Sequence, residues 1–273
     1  MRPILDLRRE ALARLPCLGD LPDLDDEERA MAARTWRARM VNEHISAQVF
    51  ASLVPQLMRA AVPPSVIARV PPMISDELRH AEQCASVVLA LGHQPIAQLP
   101  SLEPVPDHDD VEPLEGVLRN VLSVGCLSET VAVSVIRAEH AELDGTALGR
   151  VLKSILADEI QHARFGWELL GAMLPRLSDT ALERFNAYLA VALEHQVAFE
   201  VPKLPIHMGL RPEVAMAGVC DGCEARAIFF ATLEQVILPQ LDSLGLDATL
   251  AWSSLKPEID SIVQKSQPEV ARA

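Results

Sequence analysis

The chain has 273 residues, is 49% hydrophobic but only 4% aromatic, and carries a formal net charge of −14. This length admits one large domain or two small ones, and an aliphatic mix with so few aromatics favours helices over sheets. The acidic balance argues against a general nucleic-acid binder, which needs a basic surface, and suits metal-ion attraction or a basic protein partner.

No uncharged apolar run approaches the roughly 20 residues that span a bilayer, so no membrane partner is expected. The N-terminus carries early charges of both signs and lacks the apolar centre of a secretory signal. The five cysteines are scattered apart from Cys220-Asp-Gly-Cys223, as expected of reduced thiols in a cytoplasmic protein.

In chain order, residues 1–25 read as an arm, with a short helical piece from Leu5 to Leu15 and then Pro16, Cys17 and Gly19-Asp20. Asp23 or Asp25 can cap the next helix, whose first turn is rich in acids. That helix is predicted to run to about Arg59, with a kink at Pro55, and carries Trp36, Met40, Ile45, Val49 and Phe50 at helical spacing. Pro63-Pro64 separates it from a second helix, which Pro71-Pro72 should break or kink before it continues to about Leu91. Gly92 is a plausible cap. Residues 93–112, rich in Pro and Asp, read as a long crossover loop.

A third helix is predicted from Pro113 to about Glu139, and Leu143-Asp-Gly-Thr146 is a turn. A fourth runs to about Leu174. Thr180-x-x-Glu183 looks like a capping box for a fifth, ending near Glu200. After an irregular stretch with Pro202, Pro205, Gly209 and Pro212, a sixth spans about Glu224–Leu241. A seventh spans about Asp247–Val263, with Pro257 able to interrupt it. The tail after Pro268 is expected to fray.

Two of these helices carry the same motif. Asp76-Glu77-Leu78-Arg79-His80-Ala81 returns as Asp158-Glu159-Ile160-Gln161-His162-Ala163. Residues three apart share a helix face, so Glu77 points with His80, and Glu159 with His162. Helices joined by a short turn run antiparallel, and residues equidistant from the turn lie at one depth. Glu129 and Glu159 are centred on residue 144, the turn itself, and Glu43 and Glu77 on residue 60, beside Pro63-Pro64. Each Glu-x-x-His therefore faces a lone glutamate. Glu43, Glu77, His80, Glu129, Glu159 and His162 form an oxygen-rich ligand set suited to two divalent ions of the iron or manganese kind.

With that set, the chain resembles the ferritin-like, carboxylate-bridged di-iron superfamily, over residues 26–175. The resemblance implies an all-α fold: a ferritin-like four-helix bundle with a long crossover and about three further C-terminal helices. The implied division is the arm 1–25, the bundle 26–175, and a helical extension packed on it over 176–273. In the multicomponent monooxygenases and ribonucleotide reductase small subunits, an aspartate before the ligand glutamate bonds the outer nitrogen of the opposite histidine. By that likeness Asp76 orients His162, and Asp158 orients His80. The paired Asp-Glu-x-x-His is more similar to oxidative members than to iron-storage ferritins.

Cys84 lies four residues after His80, where the reductase subunits carry a radical tyrosine and some hydrocarbon monooxygenases a cysteine. It reads first as a small buried neighbour of the metals. The only tyrosine, Tyr188, lies on the fifth helix, which disfavours a tyrosyl-radical generator. Arylamine N-oxygenases of the superfamily add a histidine four residues before the second ligand glutamate; here that residue is Ile155. His44 adjoins Glu43 but points about 100° away around the helix, and His140, His195 and His207 lack spacing partners. Cys220 and Cys223 have no second pair with which to build a rubrerythrin-type centre, though a reversible disulfide remains open. Ile228, Phe229, Phe230, Leu233 and Val236 form an apolar stripe, read first as core and second as a pocket mouth.

The expected function is thus a di-iron oxygenase or oxidase. Its cofactors are two Fe ions, with Mn as the alternative, and O2 is its co-substrate. It would oxidise an organic small molecule by hydroxylation, desaturation or N-oxidation, fed by an external reductase or ferredoxin, with a homodimer compatible. The alternatives are a ferroxidase or iron-handling protein, a dimanganese catalase-like protein, and a metal-independent interaction protein.

Overall fold

The computed structural model describes residues 2–14, 21–101, 104–204 and 210–266. The expected turn over Pro16–Asp20, together with Pro205, His207, Gly209 and the tail after Pro268, lies outside the described residues. The chain forms two compact units, each discontinuous in sequence. The first comprises residues 1–107, 136–158 and 210–220; the second comprises 108–135, 159–209 and 221–273.

The first unit is built on two long helices, α2 (Asp26–Arg59) and α4 (Val70–Ala90), which pack along each other. Asp25 caps α2: its carboxylate accepts from the backbone N–H groups of Glu27 and Glu28, and Glu28 returns a bond to the Asp25 N–H. This capping box satisfies donors that a helix start leaves open. The buried face of α2 carries Trp36, Met40, Phe50, Leu53 and Leu57, at the spacing read from the sequence. Pro55 sits inside α2, and the helix continues through it.

The helix that opens at Pro64 is broken just ahead of Pro71 and Pro72, in line with the break or kink expected there. A short helix α3 (Pro64–Ile67) ends first, and the two prolines occupy the opening turn of α4. A missing N–H costs nothing there. The arm contains helix α1 (Arg8–Arg14), as expected, but its start is a strand, β1 (Ile4–Asp6). It pairs antiparallel with β2 (Ile96–Gln98) inside the crossover. Three residues on each side carry too little pattern to be read from sequence.

Trp36 is locked by a segment far along the chain. Its indole Nε1 donates to the Ala217 carbonyl at 2.8 Å. Gly218, at φ 83°, lies against the indole, where a Cβ would come within 2.9 Å of it. A short helix, α9 (Pro212–Ala215), precedes this contact.

Helix α5 (Pro113–Val121), in the second unit, is followed without a break by a π-helical stretch (Leu122–Ser128) and then by α6 (Glu129–Glu142), which belongs to the first unit from Ile136 onward. The single helix predicted from Pro113 therefore contains a widened turn. Ser123 bonds back to the Arg119 carbonyl at 3.1 Å, a competition that loosens a helix ladder. By length and composition Pro113–Glu142 could cross a bilayer. Arg119 and Glu129 interrupt it, however, and both are buried in the protein.

Helix α7 (Ala147–Met173) contributes to both units, which divide between Asp158 and Glu159. Helix α8 (Asp179–Glu200) packs against α5, α12 (Ala248–Ser254) and α13 (Lys256–Lys265). Ser178, not Thr180, caps α8, accepting from the Ala181 N–H at 3.3 Å, because Thr180 already lies within the helix. Glu115, fully buried on α5, accepts from Arg119 at 2.7 Å and from Arg184 of α8 at 2.5 Å. That pair of guanidinium contacts keeps the buried carboxylate paired. The expected sixth helix is α10 (Gly222–Thr232), a second π-helical stretch (Leu233–Ile237) and α11 (Leu238–Ser243). The expected seventh divides at Pro257 into α12 and α13, and Gly245, in the left-handed region at φ 83°, precedes it.

Candidate metal centre

Each motif sits mid-helix, where backbone hydrogen bonds hold the side chains at fixed heights. On α4, Glu77 and His80 are buried, and so are Glu159 and His162 on α7 and Glu129 at the start of α6. Glu43 on α2 retains 14% side-chain exposure.

Within the first unit, His80 faces two ways. Its Nε2 lies 3.1 Å from the Asp158 carboxylate, a hydrogen bond. Its Nδ1 lies 3.5 Å from Glu43 and 3.8 Å from Glu77. The second pair of distances is longer than a hydrogen bond. They match donor atoms sharing one ion, since ligands about 2.1 Å from a divalent cation lie roughly 3–4 Å apart. With Asp158 taking the Nε2–H, the Nδ1 lone pair points at the carboxylates, the tautomer a metal needs. The contact between Asp158 and His80 that the resemblance implied is thus present.

Asp158 has a further partner that sequence reasoning missed. Arg79 donates to Asp158 at 2.7 Å and to Asp76 at 2.8 Å. One guanidinium therefore spans the aspartates of both motifs. Arg79 stands inside the first motif, but its second-copy equivalent is Gln161, so the repeat gave no signal for it. Within the second unit, His162 Nδ1 lies 3.1 Å from Glu159.

Among the described residues, two groups bring one ligand atom per residue to within 4.8 Å of one another. The first is Glu43, Glu77, His80 and Glu159; the second is Glu77, Glu129, Glu159 and His162. All six residues read from the sequence are used, and Glu77 and Glu159 belong to both groups. Four carboxylates placed together away from water need compensating positive charge. Two divalent ions would neutralise them, so the donor set fits a carboxylate-bridged metal pair.

Cys84 is buried, and burial together with the Glu43 carboxylate pushes its thiol far up, so it stays protonated. Cys220 is likewise pushed up to about 12, first by burial and then by Glu139. Cys84, Cys126, Cys220 and Cys223 are free thiols. The apolar stripe of the sequence divides: Phe229 and Leu233 are core, while Val236 is exposed. His195 stacks on Phe199 with ring centroids 5.9 Å apart.

No family model and no curated protein sequence matches the chain. Among solved structures it is similar to "Protein 19 with aldehyde deformylating oxidase activity" from Synechococcus. The likeness has a TM-score of 0.58 at 18% identity and covers 85% of this chain and 98% of that one. The chain has the ferritin-like fold. The ferritin-like helices bring carboxylates and histidines into one buried cluster, compatible with a di-iron site.

Proposed function

We propose that this ferritin-like chain is a non-haem di-iron, O2-dependent oxidoreductase acting on an organic small molecule. One observation carries the reading: two four-donor groups share Glu77 and Glu159. That sharing suits two adjacent ions linked by carboxylates and does not suit two independent sites.

In this reading His80 with Glu43, and His162 with Glu129, hold one ion each, and Glu77 and Glu159 serve both. The ions would supply the electrons that reduce O2 and the oxidising power that attacks the substrate. The protein's own part is positional and electrostatic. Asp158 keeps the proton of His80 on Nε2, and Arg79 holds the Asp158 carboxylate in place. Burial withholds bulk water. The neutral thiol of Cys84 fills space beside His80 without adding charge. Further reducing equivalents come from an external donor of the reductase or ferredoxin class. The similar Synechococcus protein is described by an aldehyde deformylating oxidase activity, so aldehydes are the first substrates to assay.

The test is an aerobic Fe(II) titration of metal-free protein, with iron counted per chain and O2 consumption followed. Saturation near two irons per chain, lost in both Glu77→Ala and Glu159→Ala, supports the reading. Uptake far beyond two would mark an iron-handling protein instead. Failure to take iron alongside specific uptake of manganese, with rapid peroxide disproportionation, would mark the dimanganese alternative.

A further inference from the structure

Three of the second group's residues, Glu129, Glu159 and His162, come from two helices that touch at a pair of glycines. Gly125 lies in the π-helical stretch, four residues before Glu129. Gly166 lies on α7, four residues after His162 and seven after Glu159, on the face those ligands share. The backbones meet directly. A Cβ on Gly166 would stand 2.4 Å from the carbonyl carbon of Gly125 and 2.6 Å from its Cα and O. A Cβ on Gly125 would stand 2.8 Å from the Gly166 Cα. Neither neighbour is a side-chain end that could swing away, so any side chain here must push the helices apart.

Glu129 is also tied on both sides. Ser128 donates to the Gln196 side chain of α8 at 3.1 Å. Thr130 accepts from Trp167, the residue after Gly166, at 3.0 Å. The glycine contact sets how close the helix of Glu129 comes to α7, and these bonds set its rotation.

We infer that the Gly125–Gly166 contact is the positioning device for the second ion: it holds Glu129 within reach of the ion that Glu159 and His162 bind. The inference rests on the two-ion reading. Glu129 belongs to the second donor group and not to the first. Widening the contact should therefore empty one position and spare the other. A role confined to general packing would weaken both ions together.

The experiment is Mn(II) titration of metal-free protein, with metal counted per chain and the EPR signal recorded, on the wild type, Gly166→Ala, Gly125→Ala and Gly171→Ala. A Cβ on Gly171 would meet only Leu244 Cδ2, at 3.4 Å, so Gly171→Ala is the control on the same helix. The expected result is two ions with a coupled-pair signal in the wild type and the control. In Gly166→Ala, affinity for the second ion should fall about 10- to 100-fold, leaving an isolated Mn(II) signal. Gly125→Ala, the milder clash, should show the same split to a smaller degree, and it carries the test should Gly166→Ala not fold. Two ions bound with unchanged affinity in a folded variant overturn the inference, as does parallel loss of both. A wild type that binds no ion specifically overturns the two-ion reading itself, and the inference with it.

Discussion

Asp158 accepts hydrogen bonds from both His80 and Arg79, and through the first it fixes which nitrogen of His80 faces Glu43 and Glu77. The carboxylate matters here as a charge as well as an acceptor, because it makes the imidazole a better donor to a cation. Asp158→Asn keeps an acceptor and loses the charge. Its affinity for the ion at His80 should fall about 10- to 100-fold. A chelator-competition titration with Fe(II) under nitrogen, or with Mn(II), reads this directly. Unchanged affinity would mean that Asp158 only packs.

The metal-free cluster should be the weak point of the fold. Divalent ions at 100 times their dissociation constant should stabilise the protein by about 2.7 kcal/mol per site, seen as a rise in melting temperature. Glu77→Gln should abolish that rise. The metal-free form of Glu77→Gln should itself be more stable than the wild type, by on the order of 1 kcal/mol, since one of four clustered charges is gone. A variant both less stable and still metal-responsive would contradict the assignment of Glu77.

Stability should fall on the alkaline side. Burial holds the thiols of Cys126 and Cys220 well above their ordinary value. They remain protonated in the folded state while the unfolded chain ionises from about pH 8.5. The folded state then binds more protons, so this stabilisation is complete below that pH and is lost as pH rises above it. The expected slope is about 1.4 kcal/mol per pH unit for each thiol. Urea unfolding between pH 7.5 and 10 measures it, and Cys126→Ala should flatten the profile while lowering stability at neutral pH.

Gly218→Ala should destabilise the first unit by about 2 kcal/mol or more. It would place a side chain in the left-handed region and against the indole of Trp36. Trp36→Phe in the same background relieves the contact partly, so the double variant should lose less than the sum. A double-mutant cycle by urea unfolding tests this.

The gathering of Glu43, Glu77, His80, Glu129, Glu159 and His162 was legible because it depends on spacing that every helix obeys. The three-residue step from Glu77 to His80 and the symmetry of Glu129 and Glu159 about Asp144 survive any detail of packing. The bounds of α2 were nearly legible, since an aspartate cap at 23 or 25 and the acids after it announce its start; the structure selects Asp25. The π-helical stretch before Glu129 was not: it breaks the periodicity that makes helices readable, and the bond from Ser123 back to Arg119 is one choice among several for a serine. Arg79 stood within the motif, but its bridge from Asp76 to Asp158 is a relation in space between residues 79 apart. Pro71 and Pro72 announced a break, but its place was not legible: a proline pair that ends a helix and one that opens the next look alike until α3 is seen to end first.

The lock on Trp36 has a consequence for synthesis. Its hydrogen-bond partner lies 181 residues further along the chain. At ribosomal rates of about 5–20 residues per second, Trp36 waits roughly 10–40 s for Ala217 and Gly218 to be made. During that interval a large aromatic surface at the start of α2 stands open on the nascent chain, so this helix should be the region on which a holdase chaperone acts longest.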